Sequence, residues 1–171
     1  MKKTSIALTV FLAWLLAGPM AWAQKDEAKE HAELAKALKD AKVSLQKGLT
    51  ASGREGKPIS AKYEMEDGKL QLSVYTMKGD KFSEVIVDHK TGKVAKAEPI
   101  THADDLTAAK AQSETMAKSR RSLDVAASEA VKANKGYRVV SVMPALKDGH
   151  PVADVTLLKE TAWKTVAEKL D

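Results

Sequence analysis

The side chains best suited to metal binding or proton transfer in this sequence are four histidines, His31, His89, His102 and His150. A metal centre needs three or four converging ligands, and a zinc-binding helix offers them as His-x-x-x-His or His-Glu-x-x-His. Neither spacing occurs. His31 shares a helical face with Glu27 in a stretch that also carries Glu30 and Glu33, the composition of a solvated surface. His89, His102 and His150 fall in or beside predicted turns. Asp88-His89 sets an acid beside a base, but neighbouring side chains at a strand end point apart, so the pair does not read as a dyad.

Nucleophilic chemistry has no better footing. The chain has no cysteine, and no Gly-x-Ser-x-Gly elbow exposes a serine on a strained turn. Gly53 and Gly56 are not followed by the Gly-Lys-Ser/Thr of a phosphate loop. Met65, Met77, Met116 and Met143 are scattered, unlike the clustered methionines of copper carriers, and read as core filling. These features predict no catalytic residues, no metal ligands and no cofactor site, hence a protein that is not an enzyme.

The chain start has a different purpose. Lys2 and Lys3 are followed by an almost unbroken apolar run from Ser5 to Gly18, which Pro19 breaks. Ala21-Trp22-Ala23 then places small residues where a signal peptidase reads. The run is short for a membrane span. The expectation is a cleavable signal peptide over residues 1–23, a product starting at Gln24, a periplasmic location and no stable membrane anchor after cleavage, the alternative being an uncleaved N-terminal anchor. Without cysteine the product can be neither acylated as a lipoprotein nor stapled by disulfides. The formal net charge of +5 is spread over interleaved lysines and acids, and Lys2 and Lys3 carry two of those charges. No basic stripe with interleaved aromatics is present, so nucleic acid is not an expected partner.

Beyond the leader, Leu34, Leu38, Ala41, Leu45 and Leu49 recur at helical spacing, and Ser44 is placed to cap a second helix. This stretch is one bent helix or two abutting ones. The period then becomes two. Ile59, Ala61, Tyr63 and Met65 alternate with polar residues, as do Leu70, Leu72, Val74 and Thr76, and Phe82, Val85 and Val87 follow. Glycine beside aspartate at Asp67-Gly68 and Gly79-Asp80 suits tight antiparallel connections. A short piece from Lys93 to Ile100 completes a meander of three or four strands.

The second half repeats the plan. Leu106, Ala109, Met116 and Ala117 mark a helix, and Ser122 caps another carrying Leu123, Ala126, Ala127, Ala130 and Val131. Tyr137, Val139, Ser141 and Met143 alternate before the Asp148-Gly149 turn, and two further strands follow. Ser44-Leu45 matches Ser122-Leu123. After a three-residue insertion Lys78 matches Lys159, Phe82 matches Trp163 and Val85 matches Val166. Phe82 and Trp163, at equivalent positions, are expected to be buried anchors. The predicted fold is α+β, two repeats of helix followed by an antiparallel three- to four-stranded meander, over residues 24–100 and 101–171. The second repeat lacks a closing strand, which would leave an edge of its sheet unpaired.

A capped helix at Ser44-Leu45, a glycine-marked loop and a meander ending Val87-Asp88-His89-Lys90-Thr91-Gly92-Lys93 resembles the PepSY domain and its "VDxxTGxV" ending. The match covers residues 43–97. Residues 122–171 are similar in order but lack the Asp-x-x-Thr-Gly element. PepSY modules occur in the propeptides of thermolysin-type peptidases and in bacterial envelope proteins. The resemblance implies a helix on an antiparallel sheet and a non-catalytic role in restraining peptidase activity outside the cytoplasm. The Asp88 to Gly92 segment itself reads first as a structural turn, since an Asp side chain can accept backbone N–H groups two or three residues on.

The functional expectation is a non-enzymatic periplasmic interaction module whose partner is a protein, a peptidase or another envelope protein. The alternative is a small-ligand carrier or envelope sensor that binds between helix and sheet. An open edge favours the first, and an enclosed cavity of several hundred Å³ the second.

Overall fold

The computed structural model describes residues 19–171. The expected leader therefore lies outside the described residues up to position 18, and the Ala23–Gln24 cleavage point falls within the first helix, α1 (Pro19–Ala37). A 3-10 turn (Leu38–Asp40) separates α1 from α2 (Leu45–Ser52), so the leucine stripe is carried by two helices with a break between them. The Ser44 side chain caps α2, accepting the Lys47 N–H at 3.2 Å.

Four strands follow as a meander: β1 (Lys57–Glu66), β2 (Lys69–Lys78), β3 (Lys81–Val87) and β4 (Val94–Pro99). Then come α3 (Ala103–Ala117) and α4 (Leu123–Ala133), the latter capped by Ser122, which accepts from Val125 N–H at 3.4 Å. A second meander, β5 (Arg138–Lys147), β6 (His150–Lys159) and β7 (Ala162–Lys169), ends the α+β fold.

The second meander does not build a sheet of its own. All seven strands join one antiparallel sheet in the order β4-β3-β2-β1-β5-β6-β7, and the halves meet through their first strands, with Ala61 opposite Val142 and Lys62 opposite Ser141. Each first strand carries an irregularity at the same place, between Pro58 and Ser60 in β1 and between Val139 and Ser141 in β5. Each then enters a turn with two successive positive-φ residues, Asp67-Gly68 and Asp148-Gly149, whose twist suits a two-residue hairpin.

The helices α2 and α4 pack side by side on one face of this sheet. They cover Ile59, Ala61, Tyr63, Leu72, Val74, Val85 and Val87 from the first half and Val142, Ala153, Val155 and Leu157 from the second, all buried. Close approach needs small residues: a Cβ at Gly48 of α2 would lie 2.6 Å from Leu72 Cδ2, and α4 meets the sheet through Ala126, Ala127 and Ala130. On the opposite face α3 connects the halves. Gln112 Oε1 accepts from Ser60 Oγ at 2.8 Å, and Met77 Sδ accepts from Ser113 Oγ at 2.8 Å.

Three expectations need correction. Phe82 and Trp163 are only half-buried, because an odd spacing from Val85 and Val166 turns each to the face opposite α2 and α4. Ser141 and Met143 do not continue the apolar face of Val139, since the bulge before Ser141 shifts the phase and buries Val140 and Val142 instead. Ala117 is exposed, and Thr115 takes its place beside Met116.

Candidate functional site

A single sheet has two edges, and here they differ. The β4 edge is six residues long, has a register shift opposite Ile86/Val87, and contains Pro99, which has no N–H to offer. Its charges are neutralised locally, with Lys96 Nζ 2.6 Å from Glu98 Oε2. The β7 edge is eight residues long, contains no proline, and keeps an unbroken register with β6 from Val152↔Lys169 to Lys159↔Ala162.

Antiparallel geometry assigns the free groups of β7. Residues in such a ladder alternate between pairs that exchange both hydrogen bonds and pairs that exchange none. Lys159↔Ala162 closes the two-residue hairpin with hydrogen bonds, so Trp163, Thr165, Ala167 and Lys169 direct their N–H and C=O groups outward. The Lys169 carbonyl accepts from Arg121 Nη1 at 3.0 Å, and the Leu170 carbonyl accepts from the Arg120 and Arg121 N–H groups. Among the described residues, no backbone hydrogen bond from outside the sheet reaches Trp163, Thr165 or Ala167. The side chains along this edge are exposed or half-buried.

The start of the edge lies beside α1. The His31 and Trp163 rings stack with centroids 4.3 Å apart and planes at 18°. Ala28, Ala32 and Ala35 of α1 line the same cleft, with Glu160 and Thr161 of the β6–β7 turn.

The Asp88 turn forms a clamp. Asp88 Oδ1 accepts from the N–H groups of Thr91 (2.7 Å) and Lys90 (2.9 Å) and from the Thr91 hydroxyl (3.0 Å). The Thr91 N–H, then the Lys90 N–H and the Thr91 hydroxyl, hold this carboxyl below the usual aspartate range. The turn presents the His89 carbonyl to the N–H groups of Lys42 (2.9 Å) and Val43 (3.1 Å), tying the start of α2 to the end of β3. His89 Nδ1 is buried without a hydrogen-bond partner and makes no dyad with Asp88.

The other histidines stand apart from one another. His102 precedes α3 with its Nδ1 4.0 Å from Asp105 Oδ2, and His150 Nδ1 is 3.0 Å from Asp171 Oδ2, which lowers the Asp171 pKa. Among the described residues no three His, Asp or Glu side chains converge as metal ligands.

Two polar contacts had no advance signal in the sequence. Arg138 donates to the Leu38 carbonyl at 2.6 Å and lies over the Tyr63 ring, 5.5 Å from its centroid, while the Tyr63 hydroxyl donates to the Val43 carbonyl. Burial raises the Tyr63 pKa, partly opposed by Arg138. Beside them is a cleft of about 320 Å³, open to solvent and lined by Val43, Leu45, Val131 and Tyr137. On the opposite face, burial and the hydrogen bond to Asp105 raise the Tyr75 pKa.

No protein-family model matches the chain, and no curated protein matches it. Among solved structures it is similar to that of a candidate lipoprotein (CD1622) from Clostridium difficile 630, at 12% identity and a TM-score of 0.39, over 70% of this chain and 79% of that one. Among the described residues, no helix is long and apolar enough to cross a membrane.

Proposed function

We propose that this protein is a non-enzymatic, exported interaction module that captures an extended segment of a protein partner on the β7 edge. The carrying observation is the contrast between the edges: β4 is blunted by Pro99 and a register shift, whereas β7 offers the outward groups of Trp163, Thr165 and Ala167 in regular register. Main-chain pairing of this kind gives affinity without demanding a sequence, and the flanking pockets supply selectivity. Trp163, with its cleft against α1, is the natural pocket at one end.

The leader-like start supports a periplasmic site of action. The PepSY-like ending at Asp88 to Gly92 supports a peptidase, restrained rather than assisted, as the partner. The small-ligand reading has less support, because the clefts beside α2 and α4 are open rather than enclosed.

The test is inhibition of a purified thermolysin-type peptidase by the protein, with Thr165→Pro as the control. The Thr165 N–H faces outward, so proline there removes a donor from the edge and none from the β6–β7 ladder. Slowed hydrolysis that the variant loses supports strand capture. Absence of both inhibition and binding leaves the small-ligand reading ahead.

A further inference from the structure

We infer that the β7 edge pairs with the β7 edge of a second copy of this chain, antiparallel about a two-fold axis at Val166. The inference rests on the reading of β7 as a docking edge, and names the occupant it takes when no partner strand is present.

Geometry restricts the registers. Outward-facing Trp163, Thr165, Ala167 and Lys169 must meet outward-facing residues of the partner strand, so the two-fold axis passes through a residue, and the axes nearest the middle of β7 fall at Thr165, Val166 or Ala167. An axis at Thr165 sets Lys164 against Val166 of the second copy. One at Ala167 sets Lys164 against Leu170 and Glu168 against Val166. Of these three, only the axis at Val166 puts Lys164 opposite Glu168, twice by symmetry, with Val166 facing its own copy between them. On the other face it brings Lys169 to the Trp163 ring and Thr165 to Ala167.

The single chain leaves these charges available. Lys164 Nζ is 2.6 Å from the neutral Asn134 Oδ1, and neither Lys164 nor Glu168 has an ion-pair partner among the described residues. Val166 is half-buried and packs against the core cluster, so its outer side is the apolar surface such an axis would cover. The chain already uses this device internally, since β1 and β5 pair antiparallel with Ala61 opposite its repeat counterpart Val142. Opposite charges across an antiparallel pair stabilise it, and like charges destabilise it.

Charge reversal tests the register. The protein, expressed with its own leader, is followed by sedimentation velocity across a micromolar concentration series. The wild type should dimerise, Lys164→Glu and Glu168→Lys should each raise the dimer dissociation constant by roughly tenfold or more, and the double variant should restore it. The native sequence has no cysteine to interfere, so Val166→Cys should form a disulfide-linked dimer on mild oxidation. Thr165→Cys should not, because its diagonal neighbour lies beyond disulfide reach. Far-UV circular dichroism confirms that each variant is folded. A wild type that stays monomeric, a double variant that fails to recover, or equal cross-linking at position 165 overturns the inference. If such a monomer still inhibits the peptidase in a Thr165→Pro-sensitive way, strand capture stands and only self-pairing is lost.

Discussion

Ala61 and Val142 occupy the same place in their two repeats, and they face each other across the β1–β5 junction. An antiparallel contact between counterparts creates a local two-fold relation, so α2 and α4 come to lie side by side over a shared core. The buried side chains of the two halves form one continuous core.

Unfolding should therefore be a single transition. Differential scanning calorimetry is expected to give equal calorimetric and van't Hoff enthalpies. Two resolved transitions would show that the repeats are independent and that the β1–β5 junction contributes little.

Gly48 should tolerate no bulk. Its missing Cβ would sit 2.6 Å from Leu72 Cδ2, in a side chain that is fully buried. Gly48→Val is expected to cost about 1–3 kcal/mol by overpacking. Urea denaturation measures it, and a neutral result would mean that α2 rides higher above β2 than a 2.6 Å approach to Leu72 requires.

Glu160 holds φ +56° where the first repeat has Gly79 at φ +60°. A side chain pays a steric penalty in this left-handed region and glycine does not. Glu160→Gly should stabilise the protein by about 0.5–1 kcal/mol, after the added freedom of the unfolded chain is counted. Thermal melts of the variant should shift upward, and a downward shift would contradict the turn geometry.

Asp88 should link stability to acid. Its folded pKa lies below the unfolded value of about 4. Its contribution is therefore complete above the unfolded pKa and disappears as pH falls through the folded one. Asp88→Asn should be less stable at neutral pH and show a flatter decline in acid, with the residual slope including Asp171. Chemical denaturation at pH 7 and through the acid range reads this, and parallel curves for the two proteins would exclude the clamp as its origin.

Trp163 should be a partial anchor. Half-buried against His31, it is expected to cost about 2 kcal/mol when truncated to Ala, below the 3–5 kcal/mol typical of a fully buried aromatic. A larger loss would place Trp163 in the main core after all.

The amino-acid sequence determined whatever depends on near neighbours. The caps at Ser44 and Ser122, the turns at Asp67-Gly68 and Asp148-Gly149, and the alternation through Leu72 and Val74 were all legible, because each depends on residues two to four positions apart. The odd spacing of Phe82 and Trp163 from Val85 and Val166 carried a signal for their faces, but their apolar character led both to be expected in the core. The tertiary structure decided the rest. A bulge moves every later side chain to the other face, and its position in β5 emerges only from the register with β6. The fusion of the two meanders into one sheet, the stacking of His31 on Trp163 and the hydrogen bond from Arg138 to Leu38 join residues far apart in the chain. So does the candidate site, because the openness of β7 follows from its place at the end of the strand order. Local preference makes a strand, but only long-range pairing determines which of its backbone groups remain free.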